Sequence, residues 1–264
     1  MLAPFINQVL LGDNLAILQQ LPSNAIDMVY LDPPFGSSRH YHATHPNGEV
    51  RTFSDVWEHL DDYLNWLYPR VLELHRIMKP TATLYLHCDW HANAYIRVQI
   101  LDVIFGRKNF RNELIWHYET GGIPKRDFAR KHDTIFRYTK TNDYYFDAQS
   151  IRESRSEEVL RRLATGIESA TRARGQLRHP SDIIRIPALN AMAHERVKYP
   201  TQKPIELLQH LILASTQTNQ IILDACCGSG TTLIAAQRLQ RQWIGIDQNP
   251  QAVAIAKQRL LTTK

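Results

Sequence analysis

Residues 221–232 read Ile221-Ile222-Leu223-Asp224-Ala225-Cys226-Cys227-Gly228-Ser229-Gly230-Thr231-Thr232. An apolar run ends in an acid, two glycines follow, and a helix-compatible segment begins at Thr231. That order predicts a strand over 221–224, a tight loop, and a helix over 231–239. Glycines at 228 and 230 let the backbone come close to a ligand at the C-terminal edge of a sheet. Asp247 closes the next predicted strand, residues 243–247, where a carboxylate can accept hydrogen bonds from ribose hydroxyls. Leu233 stands where the third glycine of G-x-G-x-x-G would be, which argues against a dinucleotide. A nucleoside-type cofactor is the reading these residues favour.

Working outward, helices are predicted over 204–215 and 250–261. In the N-terminal half the apolar run 25–31 reads as a buried strand. It breaks at Asp32-Pro33-Pro34-Phe35, because consecutive prolines cannot continue a ladder. A helix over 55–78, ended by Lys79-Pro80, a strand over 82–87, and a helix over 93–105 capped by Gly106 follow. Strand and helix alternate, which predicts an α/β fold with a mostly parallel sheet and helices on both faces. Between 121 and 194 the rhythm fails, leaving one short strand (134–138) and one charged helix (157–163). The expected organisation is one domain made of residues 1–120 and 195–264, interrupted by an inserted module over 121–194.

The 264 residues are 44% hydrophobic and 22% charged, an ordinary globular composition that excludes wholesale disorder and fibrous repeats. No run approaches the ~20 apolar residues of a membrane span, and the opening stretch lacks a basic segment before an apolar core. A cytoplasmic protein without membrane partners is expected. Cys88, Cys226 and Cys227 imply no disulfide framework. The net charge of +5 is uneven: from Arg107 to Lys198, 19 Lys and Arg stand against 12 Asp and Glu, leaving 12 against 14 elsewhere. A central basic surplus suits a polyanion such as nucleic acid, although a solvated charged face fits it equally.

Asp32-Pro33-Pro34-Phe35 also follows a predicted strand. By itself it reads as a proline-stiffened turn, but it can also do chemistry. A base amino nitrogen is a poor nucleophile because its lone pair is delocalised into the ring. An Asp32 carboxylate and a main-chain carbonyl, that of Pro33, could hold its two hydrogens and localise that pair, while Phe35 stacks on the base. The base must first leave the duplex. Attack by a base carbon would need a proline-cysteine nucleophile, and none occurs. His87-Cys88-Asp89-Trp90-His91 has some metal-ligand spacing, but no second cluster completes four ligands, so no metal is expected.

LDPPF at 31–35, YPTQKP at 199–204, DACCGSGTT at 224–232 and WIGIDQNP at 243–250 together resemble the beta class of amino DNA methyltransferases. In that class the catalytic segment precedes the target-recognition region and the cofactor loop, which accounts for a glycine loop so late in the chain. The resemblance spans roughly residues 9–261 and thins between about 150 and 178. It implies a Rossmann-like S-adenosylmethionine-dependent methyltransferase fold with permuted motif order and an inserted target-recognition region.

Carried over by position, the catalytic motif falls on Asp32, Pro33, Pro34 and Phe35. The cofactor contacts fall on Asp13, Asp32, Thr201, Gln202, Lys203, Pro204, Asp224, Cys227, Gly228, Ser229, Gly230, Thr231 and Asp247. The family's commoner tyrosine is Phe35 here, and its usual Asp-Pro-Phe is Asp224-Ala225-Cys226, departures that bear on affinity rather than reaction type. Asp-Pro-Pro is commoner among adenine-N6 enzymes than cytosine-N4 ones, so adenine is preferred and cytosine N4 is the alternative. A non-catalytic scaffold would show degraded glycines or a replaced Asp32, and shows neither. RNA and protein-glutamine methyltransferases usually carry Asn-Pro-Pro-Tyr in unpermuted order. The implied partner is double-stranded DNA, with Lys125, Arg126, Arg130, Lys131, Arg172, Arg174 and Arg178 as candidate contacts. Trp116 and Tyr118 are candidates for the flipped-base pocket or for the core. A homodimer and a cognate restriction endonuclease are further partners that the family resemblance allows.

Overall fold

In the computed structural model the chain enters the sheet as β1 (Gln8–Leu11), turns through α1 (Asn14–Leu18) and returns as β2 (Ile26–Leu31), whose six residues are all buried. Residues 1–35, 39–44, 50–119, 122–164, 176–190, 192–197 and 199–263 are described. Next come an antiparallel pair, β3 (Arg39–Thr44) and β4 (Val50–Asp55), then α2 (Leu60–Ile77) and β5 (Met78–Cys88). One helical stretch combines α3 (Asn93–Tyr95), a π-helical segment over Ile96–Leu101, and α4 (Asp102–Ile104). The strands β6 (Phe110–His117) and β7 (His132–Thr139) precede a small antiparallel pair, β8 (Glu153–Ser154) with β9 (Leu177–Arg178), flanking α5 (Glu157–Ala164). The chain closes with β10 (Ile183–Ile184), α6 (Ile205–Ser215), β11 (Ile221–Asp224), α7 (Thr231–Arg238), β12 (Gln242–Asp247) and α8 (Pro250–Thr262).

Eight strands form one sheet in the order β1-β12-β11-β2-β5-β7-β6-β10. Pairing is parallel except where β7 runs against β5 and β6. The expected mixed, mostly parallel sheet is therefore present. Alternation along the strands sorts the core into two layers. Val29, Leu31, Leu84 and Leu86 pack with Tyr63, Leu67, Val71 and Leu74 of α2. Met28, Tyr30 and Tyr85 pack with Leu208, Leu211 and Ile212 of α6 and with Leu233 of α7. Each such aliphatic side chain contributes about 1.5–3 kcal/mol relative to exposure. The acid inside β2, Asp27, is matched by Lys79 Nζ at 2.9 Å and accepts from the backbone N–H of Ile221, tying three strands at their N-terminal ends.

Three expectations change. The helix expected over 55–78 starts at Leu60, because Asp55 is the last residue of β4 and its carboxylate is used elsewhere. The helix over 93–105 carries the π segment in its middle. The strand expected over 134–138, assigned to the inserted region, is β7 in the interior of the main sheet, and β10 extends that sheet on its far edge.

Candidate active site

The chain leaves β2 toward β5 and leaves β11 toward β12, in opposite directions along the sheet. The crevice between β2 and β11 is thus a topological switch point, where open α/β sheets place their ligands. Asp224 pairs in register with Tyr30, so the Asp32 loop and the glycine loop leave adjacent parallel strands at the same edge. A cleft of about 450 Å³ opens there. Of the residues expected to act on base or cofactor, all line it except Pro204, which caps α6, and Gly230, which caps α7.

Asp32 Oδ2 accepts a hydrogen bond from Lys203 Nζ at 2.6 Å, and the two side chains are 17% and 10% exposed. Among the described residues Oδ1 carries no hydrogen bond. Lys203 also lies 5.1 Å from the centre of the Phe35 ring. Lys203, expected as a cofactor contact, is thus bound to Asp32, the expected catalytic acid. Phe35 is fixed from two sides: its N–H donates to Asp55 Oδ2 at 3.1 Å, and its ring stacks on His87 at 5.7 Å and 28°.

Behind Phe35 lies a polar network unforeseen from sequence. His87 is fully buried. Its Nδ1 is 2.8 Å from the Tyr30 hydroxyl and its Nε2 is 3.2 Å from Asp133, which also accepts from the Tyr118 hydroxyl at 3.0 Å. Burial works to raise the Asp133 pKa, but the His87 hydrogen bond and charge, the charge of Lys203 and the Tyr118 hydroxyl outweigh it and hold the carboxyl below its ordinary value. Trp116 presents its edge to His87 at 5.6 Å and donates Nε1–H to the Ile186 carbonyl. Trp116 and Tyr118 both line the cleft, and Trp116 is also core. His91 pairs with Asp89 at 2.6 Å instead of joining His87. Among the described residues no three His, Cys, Asp or Glu are grouped to hold a metal.

In the glycine loop, Gly228 (φ +50°) and Gly230 (φ +80°) lie in the left-handed region, and a Cβ on Gly230 would sit 2.8 Å from that of Ala256. Arg259 of α8, another residue missed from sequence, clamps the loop by donating to the Ser229 carbonyl at 2.7 Å and to the Ser229 and Thr231 hydroxyls. Asp247 accepts from the N–H groups of Gly228 and Asn249, both at 2.8 Å; burial raises its pKa and these donors partly offset the rise. Asp224 is 2% exposed, and burial pushes its pKa up to about 7, assisted by the charges of Asp32 and Asp247 and opposed by hydrogen bonds from Thr232 and Cys226. The Cys226 and Cys227 thiols are pushed well up, chiefly by burial, which makes them poor nucleophiles. Asp13 caps α1 and binds Arg70 at 2.6 Å, and Arg70 also holds Asn14 and lies 4.1 Å over Trp66. Thr201 adopts φ +61°, an uncommon setting for a β-branched residue, and Gln202 bridges Val197 and Glu195.

Among the described residues the cleft wall carries Asp13, Asp32, Asp55, Asp133, Asp224 and Asp247 against a single lysine, Lys203. That suits a cationic nucleoside. Outside it the sign reverses: Lys125, Arg126 and Arg130 are exposed on the β6–β7 connection. Lys131 donates to the Glu119 carbonyl, and Arg130 lies 4.0 Å over the Trp90 ring. Arg178 is paired with Glu153 at 2.6 Å, so its charge is already matched. Arg172 and Arg174 lie outside the described residues. Among the described residues no helix is long and apolar enough to cross a membrane.

A DNA methylase family model, N6/N4 methyltransferase, matches residues 26–258. The DNA adenine methyltransferase YhdJ of Escherichia coli is 26% identical over 94% of this chain and 81% of its own. The cytosine-N4-specific PvuII DNA methyltransferase superposes with a TM-score of 0.70 at 17% identity, covering 97% of this chain and 87% of that one. TTHA0409 of Thermus thermophilus, solved with S-adenosyl-L-methionine, gives a TM-score of 0.61 at 21% identity over 95% of this chain and 93% of that one. With the family model covering both the Asp32 loop and the glycine loop, the chain belongs to the N6/N4 DNA methylase family and is an S-adenosylmethionine-dependent methyltransferase acting on base amino groups in DNA.

Proposed function

We propose that the base methylated is adenine, at N6, in double-stranded DNA, and that Asp32 is the group that makes its amino nitrogen reactive. The observation that carries this is the position of Asp32 at the switch point, where it lines the cleft with one oxygen held by Lys203 and the other without a partner among the described residues. S-adenosylmethionine, when bound, supplies a methyl group on a positively charged sulfur. Asp224, Cys227, Gly228, Ser229, Thr231 and Asp247, with Asp13 and Thr201 to Lys203, are the residues that would hold it, and the acid-rich wall fits its two positive charges.

Asp32 Oδ1 and the Pro33 carbonyl accept the two amino hydrogens, which localises the lone pair on nitrogen. Phe35, backed by His87, stacks on the flipped base, with Trp116 and Tyr118 as further pocket walls. Once the amino nitrogen has taken up the methyl group it would be acidic, and Asp32 would accept its surplus proton and pass it to water. No base with a raised pKa is needed. The described remainder of 121–194, apart from β7 and β10, is the part we assign to sequence recognition.

Adenine is supported by the aspartate at position 32 and by the adenine-specific relative; the likeness to a cytosine-N4 enzyme favours the second reading, N4-methylcytosine, by the same steps. Incubation with labelled cofactor and mixed-sequence unmethylated DNA, followed by mass spectrometry of the nucleosides, separates them. N6-methyladenine with the native protein and none with Asp32→Ala is the expected result. N4-methylcytosine would overturn the base assignment, and label undiminished in Asp32→Ala would overturn the mechanism.

A further inference from the structure

The connection between β6 and β7 carries two large apolar side chains outside the fold: Ile123 is 95% exposed and Phe128 is 97%. Scattered exposed apolar residues are ordinary. This pair sits in Ile123-Pro124-Lys125-Arg126-Asp127-Phe128-Ala129-Arg130-Lys131, which carries four cations and one acid, and Phe128 has an arginine two residues away on each side.

The base of the connection is fixed at the mouth of the cleft. The Tyr118 N–H donates to the Lys131 carbonyl at 2.9 Å, and Lys131 Nζ donates to the Glu119 carbonyl at 2.9 Å. Arg130 lies over Trp90, which stacks on His91 at 3.9 Å just beyond the end of β5. Tyr118 in turn holds Asp133 and lines the cleft. Phe128 is three residues from Lys131, within about 10 Å of extended chain from that anchored stem. An aromatic side chain with nothing to pack against among the described residues is therefore held on a basic stem beside the pocket assigned to the flipped base.

We propose that Phe128 is a wedge that enters the duplex at the step the target base leaves, while Lys125 and Arg126 contact the flanking phosphates. The inference rests on the reading of this chain as a base-flipping methyltransferase. Extrusion costs base stacking on both sides of the vacated position. An inserted aromatic ring restores part of it, and apolar wedges flanked by cations do this where proteins unstack base steps. The charges alone explain phosphate binding; they do not explain a ring left in water between them.

The test uses a closed circular plasmid that the native protein methylates. Relaxation by topoisomerase in saturating protein reads unwinding, and label transfer reads activity, for the native protein, Phe128→Ala and Phe128→Trp. The native protein and Phe128→Trp are expected to shift the topoisomer distribution. Phe128→Ala is expected to lose that shift and about 10- to 100-fold of its methyl transfer, with plasmid affinity within about threefold because the phosphate contacts remain. Unwinding by Phe128→Ala at the native level, undiminished transfer, loss of plasmid binding, or no unwinding by an active native protein would each overturn the wedge. A native protein that methylates no DNA would instead overturn the reading on which it rests.

Discussion

The buried carboxyl of Asp224 makes stability depend on pH in a direction opposite to that of a salt-bridged acid. Its folded-state pKa of about 7 stands well above the ~3.9 of an exposed aspartate. Between those values the folded chain holds a proton that the unfolded chain has released, so unfolding becomes easier as pH rises through the window. The whole displacement corresponds to about 4 kcal/mol, and the part lying between about pH 5.5 and 8.5 to about 2 kcal/mol. Asp224→Asn keeps the shape and removes the titration. Urea unfolding at about pH 5.5, 7 and 8.5 should show the native protein losing about 2 kcal/mol more than the variant across the range. Parallel curves, or a native protein that gains on the variant as pH rises, would refute the buried-acid argument. Because a cationic ligand favours the ionised form, the same proton should weaken S-adenosylmethionine binding at about pH 5.5 relative to 8.5 in the native protein more than in Asp224→Asn.

Lys203→Met leaves Asp32 without its cation and should cost about 2–4 kcal/mol in urea unfolding, with most of it recovered in the Lys203→Met, Asp32→Asn double variant; a coupling below about 0.5 kcal/mol would show the pair to be inert. His87→Asn removes the ring under Phe35, and kcat should fall at least about tenfold while cofactor affinity by calorimetry stays unchanged. An equal loss in both would place His87 in general folding. Gly230→Ala puts a Cβ at φ +80° against Ala256 and should lower stability by about 1–3 kcal/mol and weaken cofactor binding together.

The glycine loop was legible in sequence because its strand, turn and helix announce themselves locally within twelve residues, and Asp32 because prolines end a strand so abruptly. What escaped depended on partners far along the chain. Asp55 looked like a helix start, since nothing local shows that it closes β4 and receives the Phe35 N–H. His87 lay in a run that was legible as a strand, but only the pairing of β5 with β2 and β7 shows its ring facing Tyr30 and Asp133. The β7 strand looked like part of an insertion because it enters antiparallel, with no crossover helix to keep the βα rhythm. Arg259 gave no signal, since one arginine near the end of a helix ordinarily serves the solvent.

The hydrogen bond from Ile221 to Asp27 joins residues 194 positions apart. That pairing of β11 with β2 is also what creates the crevice, so the catalytic half and the cofactor half of the cleft come into being in a single long-range closure. Such closures are slow, because the entropy of ordering the intervening chain is lost before the contacts reward it. During synthesis at ~5–20 residues per second, the open edge of β2 waits for its neighbour for on the order of ten to forty seconds. A nascent chain of this protein is therefore exposed to misassociation at the very strand that leads into the Asp32 loop. Chaperone dependence during expression should track the speed of translation between β2 and β11 more than the stability of the finished enzyme.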